Sequence, residues 1–384
     1  MALTGIRVLD LSRLLPGPFC SMILADFGAE VIKIEEPVRG DYMRSIPPLA
    51  RQEGAVFLAV NRNKKSLTLN LKTEAGRRIF MQLARTADVL LEGFRPGVMA
   101  RLGLDYAALR EVNPRLVYCS LSGYGQAGPY RQRAGHDLNY IALGGVLSLL
   151  GGEDCPPTVP GVQLADLCGG LWAALAITLA LLARERTGVG QYLDVAMLDS
   201  VVSLLTVPAA VHFLGGNVDG GPRPAPATGQ ANYNVYRTRD GRYMTLGALE
   251  VKFWRAFCQA VGREDWIERQ DDDRLVGEVQ ALFATRTLAE WEELFTGQDV
   301  CCEPVHTLEE VFADPQVQAR GMLVEVEHPL EGGLKQLGMP IKLSGTPGTV
   351  RTPPPRLGEH TEELLRALGY NAEAIADLRE QGVV

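Results

Sequence analysis

Short apolar runs that alternate with helical stretches constrain the fold of this chain more than any other feature. Residues 6–11 predict a strand, 19–27 a helix and 31–34 a second strand. The alternation returns at 77–84, a predicted helix, and at 89–92, a predicted strand. Strands joined by helices through short turns form parallel sheets with helices on both faces. We therefore predict an α/β fold with a Rossmann-like parallel sheet.

A second domain follows from the length and from a change in composition. A chain of 384 residues exceeds what one hydrophobic core usually serves. Residues 215–230 are rich in Gly and Pro and lack periodicity, which is typical of a linker. Beyond them, 243–246 predicts a strand, and Thr287 with Glu290 forms a capping box before an apolar helical face. These signals predict a smaller domain of its own.

Charge and motif content exclude several classes of function. The formal net charge of -8 argues against a nucleic-acid-binding protein, which would be broadly basic. No GxGxxG motif follows the first strand, so a nicotinamide or flavin cofactor has no support. The seven cysteines and five histidines lack zinc-site spacing. We expect reduced thiols, no metal, no secretory signal and a cytoplasmic location.

One apolar segment, 167–183, has the minimum length for crossing a bilayer. Charged residues bracket it, and no second such helix is evident in the sequence. A helix that is apolar all round is more simply explained by burial in a large core or at a subunit interface. We therefore expect no membrane partner.

Three residues are candidates for acid–base chemistry. His136 precedes a predicted helix, and histidine exchanges protons near neutral pH. Asp166 lies just before the apolar helix, where a carboxylate caps the backbone or serves a reaction. Gly169 and Gly170 would let a ligand or another backbone approach that helix start. Glu250 opens a third predicted helix, where an acid is favourable in any case.

Basic residues offer partners for an anionic ligand. The segment 61–72 contains Arg62, Lys64, Lys65 and Lys72, and Arg95 and Arg101 follow. Lys and Arg are the natural partners of phosphate groups. A solvated basic face explains the same composition equally well.

Seven motifs spread over nearly the whole chain resemble the family III CoA-transferases, also called CaiB/BaiF. They are GIRVLDLSRLLPGP, GAEVIKIEEP, NRNKKSLTLNLK, EGFRPGVMARLGL, NPRLVYCSLSGYGQAGPY, TGVGQYLDVAMLDS and LGEHTEELL. The resemblance implies an interlocked homodimer that binds acyl-CoA. It also implies a large Rossmann-like domain from residues 1–200 and 330–384, a linker at 201–230 and a small domain at 231–329.

Within that family, AGHDLNYIALGGVLS resembles the α-methylacyl-CoA racemase branch. The resemblance implies that His136 and Asp166 are the two acid–base residues and that Glu250 supports the histidine. The positions that match CoA contacts are Leu69, Asn70, Leu71, Lys72, Gly93, Phe94, Arg95, Arg101, Gly135, Asp137, Leu138, Asn139 and Tyr140. The family commonly has Arg where this chain has Glu36, so Arg39 or Arg44 is expected to substitute at the adenine-phosphate end.

Three functions remain open at this point. A racemase would move the α-proton of a 2-methylacyl-CoA thioester through an enolate, with donors expected from backbone N–H groups near Asp166 and no cofactor beyond the substrate's own CoA. A CoA transferase would use Asp166 as a nucleophile. A non-catalytic acyl-CoA-binding protein would need neither role. His136 and Glu250 favour the racemase, because transferases of the family do not generally need that histidine.

Overall fold

The computed structural model describes residues 1–151, 156–215, 229–272 and 274–384. The strands of the described residues are β1 (Arg7–Asp10), β2 (Glu30–Glu35), β3 (Lys64–Thr68), β4 (Val89–Glu92), β5 (Val117–Ser122), β6 (Tyr192–Ala196), β7 (Tyr233–Arg237), β8 (Tyr243–Gly247), β9 (Cys302–Pro304), β10 (Leu323–His328) and β11 (Gly332–Leu337).

The helices are α1 (Pro16–Asp26), α2 (Ala55–Val60), α3 (Glu74–Ala84), α4 (Val98–Leu102), α5 (Tyr106–Val112), α6 (Asp137–Leu143), α7 (Leu164–Thr187), α8 (Met197–Ser203), α9 (Thr206–Phe213), α10 (Val251–Ala260), α11 (Leu275–Phe283), α12 (Leu288–Phe295), α13 (Leu308–Ala313), α14 (Pro315–Ala319), α15 (Thr361–Ala367) and α16 (Ala372–Glu380). Short 3₁₀ turns occupy Tyr42–Arg44, Val146–Leu149 and Glu264–Arg269.

The main sheet has six strands in the order β3-β2-β1-β4-β5-β6, and every neighbouring pair is parallel. This confirms the predicted α/β fold with a Rossmann-like sheet. The chain runs outward from β1 to β3 and then crosses to β4 on the other side of β1. In open α/β sheets, ligands bind outside the carboxyl ends of the strands at such a reversal. The topology therefore points to the loops that follow β1 and β4.

The described chain divides into two compact units. The first contains 1–146, 160–204 and 318–384, and the second contains 147–159 and 205–317. These boundaries differ from the predicted ones. The predicted linker begins inside α8 and continues as α9, and its remaining part at 216–228 lies outside the described residues.

Residues from both ends of the chain share one hydrophobic core in the first unit. Leu9 and Ile32 of the central strands pack in it with Phe80 of α3. Leu365 of α15 and Ile375 of α16 join them from the far end of the sequence. Burial of these side chains is what ties the two ends of the chain together.

The hairpin of β10 and β11 also belongs to the first unit, although its first strand falls in the segment predicted as the small domain. The Arg62 guanidinium, just before β3, donates to the Leu337 carbonyl of β11 (2.5 Å). The Glu331 carboxylate, between the two strands, accepts the backbone N–H groups of Arg51 (2.5 Å) and Gln52 (3.2 Å). Such bonds leave no trace in local sequence, so the boundary was predicted too late.

The second unit contains an antiparallel sheet in the order β7-β8-β9. Helices α10, α11 and α12 bury Trp254, Phe283 and Trp291 in a core of its own. The predicted capping box is present, since the Thr287 hydroxyl accepts the Glu290 N–H and the Glu290 carboxylate accepts the Thr287 N–H.

Helix α7 is the one described helix that is long and apolar enough to span a membrane by length and composition. One face, with Ala173 and Ile177, is buried where α7 packs on α1, α8 and β5. The opposite face leaves Leu171, Leu175 and Leu179 exposed at 53%, 47% and 56%. Burial within the chain therefore accounts for the first face of α7 and not for this second one. Its burial at a subunit interface stays a prediction.

Candidate active site

His136 and Asp166 lie at the starts of two helices in the same unit. His136 is exposed and immediately precedes α6, as predicted, and its backbone N–H donates to the Asn139 Oδ1 (3.0 Å). Asp166 is half-buried and is the third residue of α7. Asp166 was predicted to lie just before this helix, as a cap or as a reactive carboxylate, and the structure corrects its position to the first turn.

The carboxylate that caps α7 belongs to Asp137 instead. Its Oδ1 accepts the backbone N–H of Ala165 (2.7 Å) and that of Asp166 (3.1 Å). The residue that follows His136 is thereby bonded to the backbone of Asp166, so the two predicted acid–base residues lie at adjoining helix starts. Backbone N–H groups near Asp166 were predicted to stabilise an enolate oxygen. The N–H groups of Ala165 and Asp166 are not free for this, because both donate to Asp137.

The Asp166 carboxyl group is strongly perturbed. Burial, followed by the charge of Asp137, raises the pKa of Asp166 to about 7. Burial disfavours the charged form of a carboxylate, and a like charge nearby acts in the same direction. A carboxyl group with a pKa near neutrality can both donate and accept a proton under ordinary conditions.

Glycines at the start of α7 serve packing. A Cβ on Gly169 would lie 2.8 Å from the Met197 Cγ, and one on Gly170 would lie 2.6 Å from the Pro16 carbonyl oxygen. Both distances are shorter than real Cβ contacts. At Gly170 the obstacle is backbone, so a side chain there would push α7 away from α1, whereas at Gly169 the Met197 side chain would have to move. Of the two alternatives for these glycines, the close approach of other protein elements is the one observed.

Tyr140 and Gly135 brace the segment that carries His136. Tyr140 is 5% exposed, its hydroxyl donates to the Gly135 carbonyl (2.7 Å), and its ring meets Tyr124 edge-on at 5.1 Å. Leu138 and Asn139, on the same helix, are exposed. A cavity of about 330 Å³ opens beside α6, lined by Tyr124, Arg133, Ala134, Asn139, Ala142 and Leu143.

Glu250 belongs to the second unit. It directly precedes α10, as predicted, and its side chain is exposed. Its backbone carbonyl accepts the N–H groups of Phe253 (2.9 Å) and Trp254 (3.1 Å). The support of His136 by Glu250 stays a prediction.

The predicted CoA contacts after β3 lie at the carboxyl end of the sheet. Leu69 is buried and donates its N–H to the Glu35 carbonyl (2.7 Å). Asn70 is held by the chain end, since its N–H donates to the Val383 carbonyl (2.8 Å). Leu71 is half-buried, and the Lys72 side chain is exposed. Lys72 is therefore available to an anionic ligand.

The predicted contacts after β4 lie beside the point where the strand order reverses. The Glu92 carboxylate accepts the Phe94 N–H (2.7 Å) and the Ser120 hydroxyl, which shapes the turn. Gly93 and Arg95 in this turn are exposed. Arg101 is exposed on α4, the helix that follows.

Arg13, in the loop after β1, is a basic residue that the sequence analysis did not single out. Its guanidinium lies over the rings of Phe94 (4.9 Å) and Tyr42 (5.2 Å) and donates to the Tyr42 hydroxyl (2.8 Å). It thereby joins the loops after β1 and β4. In a chain expected to bind an anion, the signal in the sequence was an arginine three residues after the end of the first strand.

Three basic residues that were considered for phosphate binding have other partners. Arg62 is 2% exposed and pairs with the Asp26 carboxylate (2.7 Å). Lys64 is 2% exposed and lies 3.4 Å from the Asp10 carboxylate. Lys65 pairs with Glu363 (2.7 Å) near the surface. Arg62 and Lys64 therefore belong neither to a phosphate site nor to a solvated basic face, because both are buried beside carboxylates of the protein.

The two candidates to replace the missing arginine at Glu36 differ in availability. Arg44 is buried and forms a two-bond pair with the Glu35 carboxylate, at 2.8 Å for each bond. It also donates to Glu53 (2.8 Å), so its guanidinium is occupied. Arg39 is exposed, and only its backbone N–H is held, by the Glu36 carboxylate (2.8 Å). The geometry therefore leaves Arg39 for this role.

Within the described ranges, no group of three or more His, Cys, Asp or Glu residues is arranged to hold a metal ion. The described cysteines, Cys20, Cys119, Cys168, Cys258, Cys301 and Cys302, are free thiols. Cys155 lies outside the described residues.

Comparisons with known proteins match the whole chain. The model of the CoA-transferase family III covers residues 3–361. The succinyl-CoA:glutarate CoA-transferase of Mus musculus is 38% identical, over 100% of this chain and 90% of that protein. The α-methylacyl-CoA racemase of Homo sapiens is 37% identical, over 100% of this chain and 98% of that protein. Other CoA-transferases match at similar identity.

A solved structure of a CaiB/BaiF family protein from Brucella suis superposes with a TM-score of 0.84 and 32% identity. The match covers 95% of this chain and 99% of that one. The similar identities of the transferase and racemase relatives leave the reaction undecided between the two.

Proposed function

Because the chain belongs to CoA-transferase family III, we propose that it inverts the α-carbon of 2-methylacyl-CoA thioesters, with His136 and Asp166 as the acid–base pair. The observation that carries the proposal is the Asp137 bridge, which bonds the residue after His136 to the backbone of Asp166. It brings an imidazole-bearing residue and a carboxyl group with a pKa of about 7 to adjoining positions.

Racemisation needs two groups, one protonated and one not. The unprotonated group removes the α-proton, and the electron pair of the C–H bond moves into the thioester to form an enolate. The protonated group then delivers a proton to the opposite face of the same carbon. His136 and Asp166 exchange these roles according to the handedness of the substrate. A carboxyl group that is half ionised near neutral pH suits both directions.

The CoA portion is proposed to lie along the carboxyl end of the sheet. Lys72 after β3, and Arg95 and Arg101 after β4, are exposed there and supply positive charge for phosphate groups. The reversal of strand order between β1 and β4 supports this placement. Arg39 is proposed to serve the adenine-phosphate end.

We also propose that the functional protein is a homodimer and that Glu250 supports His136 in it. The apolar face of α7 formed by Leu171, Leu175 and Leu179 is contiguous by helical spacing and exposed. Patches of this kind mark association surfaces. Leu175→Glu is expected to shift the protein to monomer in sedimentation velocity, whereas a dimer retained by Leu175→Glu would exclude this face.

The second candidate is a CoA transferase in which Asp166 attacks the thioester and carries a covalent intermediate. The transferase relatives, at 35–39% identity, support it. A nucleophilic carboxylate must be ionised. With a pKa of about 7, Asp166 is ionised in about half of the molecules at neutral pH, so its pKa suits either role. The preference for proton transfer rests on His136, which lies at the adjoining helix start.

One experiment separates these functions. Purified protein is incubated in deuterated water with a single-handed 2-methylacyl-CoA, with and without a carboxylic acid acceptor. We expect deuterium at the α-carbon without an acceptor, and a loss of at least about 100-fold in His136→Ala and in Asp166→Ala. Asp105→Asn, which changes the cap of the remote helix α5, is the control.

Acceptor-dependent exchange of CoA would instead identify a transferase, provided that Asp166→Ala abolishes it and His136→Ala does not. Tight CoA binding with neither reaction would indicate the non-catalytic binding protein.

A further inference from the structure

We propose that Asp137 is a positioning residue that fixes Asp166 relative to His136 and keeps a negative charge beside it. The inference deepens the proposed function and rests on it. Asp137 would then act through Asp166, in addition to or instead of the CoA contact that the family resemblance implies.

Asp137 supplies the side-chain cap of α7 from outside that helix. In the described structure, the residue before α7, Gln163, makes no side-chain capping bond. Asp137 takes over this task from a position 28 residues before Ala165 and 29 before Asp166, with one oxygen accepting both N–H groups. A carboxylate at a helix start also interacts favourably with the helix dipole. The bridge therefore fixes where the Asp166 backbone lies relative to α6.

The starts of both helices joined by Asp137 are fixed by other contacts as well. The His136 N–H is bonded to the Asn139 side chain (3.0 Å), which fixes the entry into α6. The first turns of α7 pack against α1 and α8 through Gly169 and Gly170. With both helix starts held by the protein, a bond between them sets the separation of their side chains.

The charge of Asp137 also acts on the Asp166 carboxyl group. The titratable groups at this end of α7 and on the elements packed against the helix are His136, Asp137 and Tyr140 at α6, Cys168 of α7, Asp199 of α8, Cys20 and Asp26 of α1, Tyr118 and Cys119 of β5, and Tyr192 and Asp194 of β6. Asp26 is paired with Arg62. Among the described residues, Asp137 is the one whose charge, after burial, raises the pKa of Asp166. In the part of the chain that the structure describes, no cation offsets this charge in the way that Lys64 offsets Asp10.

Two substitutions separate the two parts of this role. Asp137→Asn keeps an oxygen that accepts the N–H groups of Ala165 and Asp166 but removes the charge. Asp137→Ala removes both the charge and the acceptor. Asp137→Asn should therefore change the titration of Asp166 with little change in geometry, whereas Asp137→Ala should change both the titration and the geometry.

The test measures the ionisation of Asp166 directly, by infrared difference spectra of each protein against its Asp166→Asn counterpart across a pH series. In Asp137→Asn the midpoint should fall by roughly half to one pH unit, since the like charge is gone and the larger contribution of burial remains. The corresponding limb of the pH profile for α-proton exchange should move the same way. Asp137→Ala should lower kcat by roughly 10- to 100-fold with KM changed less than threefold, because the acid–base groups lose their alignment.

Asp105→Asn serves as the control and should leave the Asp166 midpoint and the exchange rate unchanged. An unshifted midpoint in Asp137→Asn would overturn the proposal, and so would a rise in KM for acyl-CoA with unchanged kcat in both variants. If Asp137→Ala does not fold, Asp137→Asn decides the electrostatic part, and Asp137→Glu, which keeps the charge but moves the acceptor oxygen, decides the positioning part. An unchanged kcat in Asp137→Glu would then overturn the positioning role. Absence of proton exchange in the wild type would reject the proposed function, while the titration of Asp166 would still decide the role of Asp137.

Discussion

Two regions of the first unit contain carboxylates below the protein surface, and their pKa values are shifted in opposite directions. Under strands β1 to β3, burial opposes the ionisation of Asp10, but Lys64 and Lys33 outweigh it and hold the pKa of Asp10 below its ordinary value. Glu35 behaves alike, because Arg44 and Lys33 overcome the effect of burial and lower its pKa. At the start of α7, burial and the charge of Asp137 together raise the pKa of Asp166 to about 7.

The difference separates structural from reactive carboxylates. A buried carboxylate with a cationic partner keeps its charge near neutral pH and links parts of the chain. A partly buried carboxyl group without a cation sits near its titration midpoint, which is unfavourable for stability and useful for proton transfer. Strongly perturbed groups in a cleft are candidates for function on this ground.

The largest effect on stability is expected where the buried pairs are broken. Asp10→Ala leaves the Lys64 ammonium buried without its carboxylate and also removes the acceptor of Ser12 and Ser21. We expect the free energy of unfolding at pH 7 to fall by about 3 kcal/mol or more in urea titrations. Because the folded pKa of Asp10 is lowered, its contribution is present above the unfolded pKa and disappears as pH falls through the folded pKa.

The matched control for Asp10 is Asp377→Ala, an exposed acid on α16. It should change the free energy of unfolding by less than about 0.5 kcal/mol. An equally small effect of Asp10→Ala would remove the distinction between the two regions.

At the start of α7, the free energy of unfolding is expected to change with pH in the opposite direction. The folded pKa of Asp166 lies above its unfolded value, so the folded state binds more protons between about pH 4 and 7. Its ionisation therefore lowers stability as pH rises through that range. Asp166→Asn should raise the free energy of unfolding by roughly 1 to 3 kcal/mol at pH 8, after allowance for partial solvent screening, and by about a third of that at pH 5, where the unfolded carboxyl group is already mostly ionised.

Thermal unfolding of wild type and Asp166→Asn at the two pH values measures this difference. Destabilisation of Asp166→Asn at pH 8 would mean that the carboxylate is stabilised by a cation after all, and the comparison would fail.

The smallest effect is expected at the protein surface. Lys65 lies 2.7 Å from Glu363 and 3.2 Å from Glu30, but solvent reaches all three side chains. Exposed ion pairs contribute little because water and salt screen them. Lys65→Ala should lower the free energy of unfolding by less than about 1 kcal/mol, and 0.5 M NaCl should reduce that loss. A loss as large as that of Asp10→Ala would show that burial does not set the strength of these pairs.

Much of the fold was predictable from local sequence. The strand at 89–92 was predicted with the bounds that the structure has for β4, and the helix at 77–84 is the larger part of α3. Strand β3 was missed, because its two lysines suggested a surface segment. Lys64 is buried in that strand with its ammonium bonded to the Asn61 side chain (2.8 Å) and the Pro18 carbonyl (2.9 Å) and 3.4 Å from the Asp10 carboxylate.

The candidate site was predictable in its residues and not in its geometry. His136 before α6 and Glu250 before α10 stand where the sequence placed them. For Asp166, local sequence left a helix cap and a reactive carboxylate as alternatives and placed the residue before α7. The residue that caps the helix, Asp137, comes from a different helix.

The sequence by itself determined the alternation of strands and helices, the family and the identity of the candidate acid–base residues. Each of these depends on residue types at short spacing. Only the tertiary structure decided which charges meet: Lys64 with Asp10 across 54 positions, Arg62 with Asp26 across 36, and Asp137 with Asp166 across 29. The physical reason is that strand order and helix packing choose these partners, and the partner decides whether a buried carboxylate stays ionised or holds its proton.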